Sequence, residues 1–184
     1  MGFNIDEFTA AGLPLGGARA SLFSVIVDTP SGVPNIGARM SFSCRAASLP
    51  GSTVGVIEVP YFGRKVKIAG NRAFDNWEVT VLNDEDFAVR HAFELWSSAI
   101  QSHQTNLRAS QLASSASYRT TAQISQYAKT GAQVRTYEMV GLWPINISPI
   151  GMDWESANAI ETFTVTFAYD YWKVVAPSTT GTLG

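Results

Sequence analysis

Glu161-Thr162-Phe163-Thr164-Val165-Thr166-Phe167-Ala168-Tyr169-Asp170-Tyr171 sets large apolar residues against smaller, mostly polar ones at every step. That two-residue period belongs to a half-buried β-strand, because successive side chains of a strand point to opposite faces. Read as one strand, the stretch is about 36 Å long at roughly 3.3 Å per residue, well beyond the usual strand length. Burying Phe163, Val165, Phe167, Tyr169 and Tyr171 contributes roughly 7–15 kcal/mol before conformational entropy is set against it. The threonine face needs water or another polar surface. A long two-faced strand at an open edge invites uncontrolled pairing, and closing the sheet across neighbouring copies removes that hazard.

The rest of the chain reads the same way. Leu22 to Asp28 predicts a strand, and Thr29 to Gly37, with Pro30, Gly32 and Pro34, predicts the turn after it. From Arg39 to Ala46, Met40, Phe42, Cys44 and Ala46 alternate with Arg39, Ser41, Ser43 and Arg45, which predicts a second strand stopped by Leu49-Pro50-Gly51. Val54 to Val59 predicts a short strand. Pro60 to Asp75 gathers Arg64, Lys65, Lys67 and Arg72 around Gly63 and Gly70 and reads as a basic loop. Trp77 to Leu82 is a further strand, with Trp77, Val79 and Val81 on one face.

A helix is expected next. Asn83 can cap it, and Asp84, Glu85 and Asp86 would occupy the first turn, where the helix dipole favours acids. Val89, Ala92, Phe93, Trp96 and Ile100 then form one apolar stripe. Gln101 to Ser117, rich in Ser, Gln, Ala and Asn, predicts a long surface loop with isolated Leu107 and Leu112. Strands resume over Thr121 to Ala128 and Gln133 to Val140, with a turn at Gly131 and a break at Gly141-Leu142-Trp143-Pro144. Many strands against one helix, never alternating, predict a mainly β, antiparallel sandwich or barrel with one flanking α-helix.

The chain has 184 residues, the size of one domain, with 46% hydrophobic and only 15% charged residues. About 25% charged would be typical, so much of the surface is uncharged or covered. A net charge of −2 supplies no general cationic field for gripping phosphate backbones. Cys44 is the single cysteine, which excludes an intrachain disulfide and reads as a small buried hydrophobe. The first ten residues hold Asp6 and Glu7 and lack a basic segment followed by an apolar run, so no secretory signal is expected, nor any membrane span.

Candidate chemistry is sparse. His91 and His103 lack partners at metal-ligand spacing, and the acids at Asp84 to Asp86 are explained by a helix start. Asp153, Glu155 and Glu161 are the carboxylates a glycosidase would need, but nothing else suggests a cleft. No phosphate loop, nucleophile elbow or nucleotide motif occurs. No enzyme activity, cofactor or metal is therefore expected. Trp77, Trp96, Trp143, Trp154 and Trp172 read as core or interface anchors.

Several blocks carry a family resemblance. They are Phe42-Ser43-Cys44-Arg45-Ala46-Ala47-Ser48-Leu49-Pro50-Gly51, Gly63 to Trp77 followed by Val79-Thr80-Val81-Leu82-Asn83-Asp84-Glu85, then Gly141-Leu142-Trp143-Pro144 with Asp153-Trp154, and finally Phe163 to Trp172. In this order they resemble the tail tube proteins of contractile-tailed, T-even-type bacteriophages. The resemblance covers about residues 21–172, which leaves 1–20 as an N-terminal arm and 173–184 as a C-terminal extension past the family's usual end. The Thr29 to Gly37 turn also looks longer than the family's hairpin.

The resemblance implies a structural virion protein whose hexameric rings stack into the inner tube of the tail, the conduit for genome ejection. It implies a closed β-barrel built from strands of all subunits, and partners in the sheath, baseplate, tail-terminator and tape measure proteins. DNA would pass without specific binding, and assembly would take place in the bacterial host cytoplasm. Within that frame Arg64, Lys65, Lys67 and Arg72 are candidates for contact between rings, opposite Asp84, Glu85 and Asp86. Thr162, Thr164 and Thr166 are candidates for the polar lumen face, because a bore poor in Lys and Arg does not hold phosphate. Two other readings stay open: the tube of a phage-derived injection or secretion machine, and a monomeric carbohydrate-binding β-sandwich.

Overall fold

The computed structural model describes Ile5, residues 8–156 and residues 158–175. Residues 1–4, 6 and 7 of the expected arm and 176–184 of the expected extension lie outside them. The strands are β1 (Phe23–Val27), β2 (Cys44–Ala47), β3 (Thr53–Tyr61), β4 (Arg64–Ala73), β5 (Trp77–Leu82), β6 (Thr120–Tyr127), β7 (Gln133–Ile147), β8 (Thr162–Ala168) and β9 (Tyr171–Val175). The helices are α1 (Gly37–Ser43), α2 (Ala88–Ile100) and the single turn α3 (Ser115–Tyr118). Short π and 3₁₀ turns at Phe8–Gly12 and Ser110–Leu112 complete the described elements.

The main sheet runs β1-β6-β7-β8-β5-β2, and β9 also pairs with β7. Every pairing is antiparallel. The corner of the fold is made by β7. Its first part, Thr136 to Val140, lies between β6 and β9, whereas Trp143 to Ile147 pairs with β8. One strand serving two sheet halves through a bend is how sheets packed at an angle share a corner. Gly141, expected to break the strand, makes the bend instead. Its φ of +72° suits glycine, and a Cβ there would meet the Asp170 carboxyl carbon at 2.9 Å.

The alternating stretch from Glu161 to Tyr171, expected as one strand, divides between β8 and β9. Its chain stays antiparallel to β7 throughout, but it kinks at Tyr169-Asp170, where the Asp170 N–H donates to the Val140 carbonyl at 3.0 Å. Phe163, Val165 and Phe167 are fully buried, Tyr169 packs on the core edge and Tyr171 is exposed. The three buried side chains contribute roughly 5–9 kcal/mol, less than an uninterrupted five-residue face would. In β5, Trp77, Val79 and Val81 stand directly opposite Phe167, Val165 and Phe163, so both inner faces fill the same core.

On that core lies α2. Its Val89, Ala92, Phe93 and Trp96 are buried, as the stripe predicts, and Ile100 packs at the margin. The Phe93 ring lies 5.7 Å from Phe167, and the Trp96 indole N–H donates to the Tyr118 carbonyl at 3.0 Å. The region after α2 is more structured than a surface loop, because Leu112 is fully buried, while Leu107 is exposed.

Three further expectations are corrected. Arg39 to Ala46 is not one strand, because Gly37–Ser43 is helical and only Cys44–Ala47 pairs with β5. Ile36 and Met40, one helical turn apart, are both buried, and Gly37 fits closely against Ile26 and the Val27 backbone. The apparent alternation was accidental, and Phe42 points outward. The helix start also moves. Asn83 does not cap α2 but donates to Glu161 Oε2 at 2.9 Å, and Asp84 to Asp86 form the turn before the helix. Finally, the basic segment is not a loop but strand β4, paired along its length with β3.

Candidate assembly surfaces

Thr53 to Ala73 forms a separate two-stranded ribbon, β3–β4, turned at Phe62-Gly63 with φ of +42° and +80°. Positive φ at both central residues is the mark of the hairpin turn whose twist matches that of the strands. Register assigns the faces, because directly paired residues share one. Ile57 opposite Ile68, Val59 opposite Val66, and Tyr61 form an apolar face, which ends beside the turn at Arg64, opposite Tyr61. Glu58 opposite Lys67 and Pro60 opposite Lys65 form a polar one. Both strands are exposed almost throughout, and no other described element packs against them to a comparable extent. Solvent-facing apolar area on this scale marks a surface awaiting a partner.

Of the basic residues, Lys65 is held by Glu58 at 2.6 Å across the hairpin, and Arg72 Nη1 donates to Ser52 Oγ at 3.2 Å. Arg64 and Lys67 have no ion pair among the described residues. The acids lie elsewhere. Asp86 pairs with Arg39 and accepts from the Ala88 N–H at 3.0 Å, whereas Asp84 and Glu85 carry no ion pair among the described residues. Within one chain the two groups are not brought together, so a contact between them would need a second copy.

The Ala88 N–H first, and then Arg39, hold the Asp86 carboxyl below its ordinary value. A depressed carboxylate stabilises the fold fully above the unfolded value of about 3.9 and loses that contribution as pH falls through the lower folded value. Asp86→Ala is therefore expected to lower the melting temperature at pH 7, with the gap to wild type closing below about pH 4. A gap that is the same at pH 7 and pH 3 would contradict this origin.

Thr162, Thr164 and Thr166 line the outer face of β8, opposite Leu82, Thr80 and Glu78 of β5. The Thr80 and Thr164 hydroxyls lie 3.5 Å apart. Neither strand carries a lysine or arginine, so this face is polar and presents no cation. It belongs to the continuous sheet, at one edge of which β2 pairs with β5 alone among the described residues.

The remaining candidates scatter. His91 and His103 are both exposed, and among the described residues no group of His, Cys, Asp or Glu is arranged to hold a metal. The Asp153 carboxylate accepts from the Glu155 backbone at 3.0 Å, and Glu161 is engaged by Asn83. Trp77 and Trp96 lie in the core, Trp154 is fully exposed, and Trp143 and Trp172 are half-buried, so the indoles form no common platform. Cys44 is half-buried rather than buried, and desolvation pushes its thiol up to about 11. The sequence reading missed the apolar face of the hairpin. Its signal was the alternation of Val59 and Tyr61 before Phe62-Gly63 and of Val66 and Ile68 after it.

The profile of a family described as phage tail tube protein matches residues 15–175. The tail tube protein of Enterobacteria phage T4 is 36% identical over 170 residues, which span 92% of this chain and 99% of that one. A tail tube protein of Serratia phage KSP90 is 25% identical over 120 residues, 65% of this chain and 66% of that one. Among solved structures, the tube-terminating cap of the anti-feeding prophage superposes with a TM-score of 0.63 at 16% identity, covering 87% of this chain and 91% of that one. The extended sheath-tube complex of the extracellular contractile injection system PVC gives 0.56 at 15% identity, covering 95% and 99%. These two likenesses concern the fold.

Proposed function

We propose how this chain works from one premise: it belongs to the phage tail tube protein family. It is a structural subunit of the tube in a contractile phage tail, and thus a component of the virion. In our reading, the copies close into hexameric rings and the rings stack into a hollow conduit. The observation that carries this is the exposed apolar face of the hairpin, which is costly to leave in water and which no other described element of the chain covers.

The outer face of β5 and β8 lines the bore, with Thr162, Thr164 and Thr166 toward the lumen and the open side of β2 continuing the sheet into the next copy. A closed sheet leaves no edge for stray pairing. A lumen wall of hydroxyls and Glu78 releases no counterions to passing phosphate, so DNA slides through without being held. The tape measure protein would occupy the same bore before ejection. Sheath, baseplate and tail-terminator proteins would cover the outside and ends, with assembly in the host cytoplasm. The role is structural, without catalysis. Relatedness to a phage tube over nearly its whole length favours the virion role over an injection machine, with which only the fold is shared.

Arg64, Lys65, Lys67 and Arg72 lie between rings in this reading, facing Asp84 and Glu85. The test is electron microscopy of purified protein. Wild type is expected to form hollow rings and tubes, and Arg64→Glu with Lys65→Glu is expected to shorten or abolish the tubes while rings persist. Solitary molecules at every concentration would overturn the tube; tubes of unaltered length in the double variant would overturn the inter-ring assignment.

A further inference from the structure

We propose that Phe62, at the tip of the β3–β4 hairpin, inserts into the cleft between α1, the end of β5 and the start of α2 of a second copy of this chain. Arg64 and Lys67 then face Asp84 and Glu85 at its rim. The inference rests on the tube reading and deepens it by naming an anchor and its socket.

Phe62 is 92% exposed, and the Tyr61 ring stands edge-on to it at 4.7 Å. Its φ of +42° is a conformation that asparagine or glycine adopts readily and a bulky residue does not. The free chain gains nothing from an aromatic ring there, either in backbone energy or in burial. A large ring held at the end of a projecting ribbon is the arrangement of an anchor whose contacts lie in another molecule.

The socket has the matching character. The cleft has a volume of about 420 Å³ and is lined by Phe42, Leu82, Val89 and Ile160, with Arg39 and Asp84 at its rim. That volume falls within the roughly 300–1,000 Å³ of clefts that hold small ligands. Phe42 and Ile160 are themselves exposed large apolar side chains, so the cleft is an unfilled apolar surface rather than part of the core. An aromatic ring excludes water from it and buries both partners.

Charge selects the same pairing. The hairpin carries Arg64, Lys65, Lys67 and Arg72 against one carboxylate, Glu58, and Glu58 is taken by Lys65. Beside the cleft Arg39 takes Asp86, which leaves Asp84 and Glu85. Each surface thus keeps charge of one sign next to an exposed apolar feature, and the signs are opposite. Complementary charge at the rim orients the approach while the buried ring supplies the affinity. Because tip and cleft are different surfaces of one protein, the contact is heterologous and propagates from copy to copy, as a ring or a stack requires.

The test is disulfide trapping in assembled protein, together with a reconstruction of the wild-type tube. Phe62→Cys combined with Ile160→Cys, in a Cys44→Ser background, is expected to give a ladder of covalent multimers on mild oxidation, whereas either cysteine alone gives none. In the wild-type reconstruction the Phe62 ring is expected against Val89 and Ile160 of another copy. Assembled double-cysteine tubes without cross-links would overturn the docking, as would a Phe62 ring in solvent or against a different surface. If the cysteine variants do not assemble, the wild-type reconstruction alone decides. Tubes with Phe62 elsewhere defeat this inference and leave the tube reading standing; a wild-type chain that forms no tubes defeats both.

Discussion

Replacing Thr53–Ala73 with a two-residue Asn-Gly turn is expected to leave a folded protein that no longer grows tubes. The excision is geometrically mild, since Thr53 and Ala73 are paired neighbours and a two-residue turn reconnects antiparallel strands at that separation. No buried core residue lies in the segment. What the hairpin supplies is its apolar face, Ile57, Val59, Tyr61, Val66 and Ile68, together with Arg64 and Lys67, none of which serves the chain's own core. The far-ultraviolet circular dichroism melt should therefore stay within a few degrees of wild type, while sedimentation and electron microscopy show loss of tubes. A variant that still forms full-length tubes would show that the ribbon is dispensable for assembly.

Trp77→Ala should act on the opposite property. Trp77 is 1% exposed, its ring lies 5.7 Å from Phe167, and its indole N–H donates to the Ser48 carbonyl at 2.8 Å. Truncating a buried tryptophan costs about 3–5 kcal/mol through lost transfer energy and the cavity left behind. Against a total of about 5–15 kcal/mol for a domain, that is a large share of the stability. With a urea slope of about 2 kcal/mol per molar, the unfolding midpoint should fall by about 2 M. Trp77→Phe keeps most of the apolar volume but drops the hydrogen bond, so it should cost about 1–2 kcal/mol. Equal losses for the two variants would mean that the hydrogen bond, and not the filled volume, holds β5 to the core. The hairpin change thus abolishes assembly in a stable chain, and the tryptophan change lowers the stability itself.

The elements legible from sequence are those whose pattern is local. β5, β8 and α2 bury the faces that their periods of two and of about 3.6 predict. β1 falls on the apolar run of Leu22 to Asp28, and β6 falls where a strand is expected over Thr121 to Ala128. The blocks of residues resembling tail tube proteins led to the right family. Misreadings arose where two local patterns fit the same residues. Arg39 to Ala46 alternates, yet Ile36 and Met40 are also one helical turn apart, and packing against β1 selected the helix. Pro144 argued for a break in β7, yet the strand continues through it to Ile147. A local pattern cannot tell an end from a bend when the outcome depends on Asp170 and β8 arriving from later in the chain.

Charge shows the same division. Composition and position were enough to expose a basic segment, an acidic run and a cation-free threonine face, because each is a property of near neighbours along the chain, although the acids precede the helix instead of forming its first turn. Folding decided which charges remain available: Arg39 reaches Asp86 and Lys65 reaches Glu58 only once α1 and the hairpin have formed. It also turned a presumed loop into a projecting two-stranded ribbon with an apolar face. The period of a segment is written in that segment, whereas the partner of a side chain depends on everything folded around it.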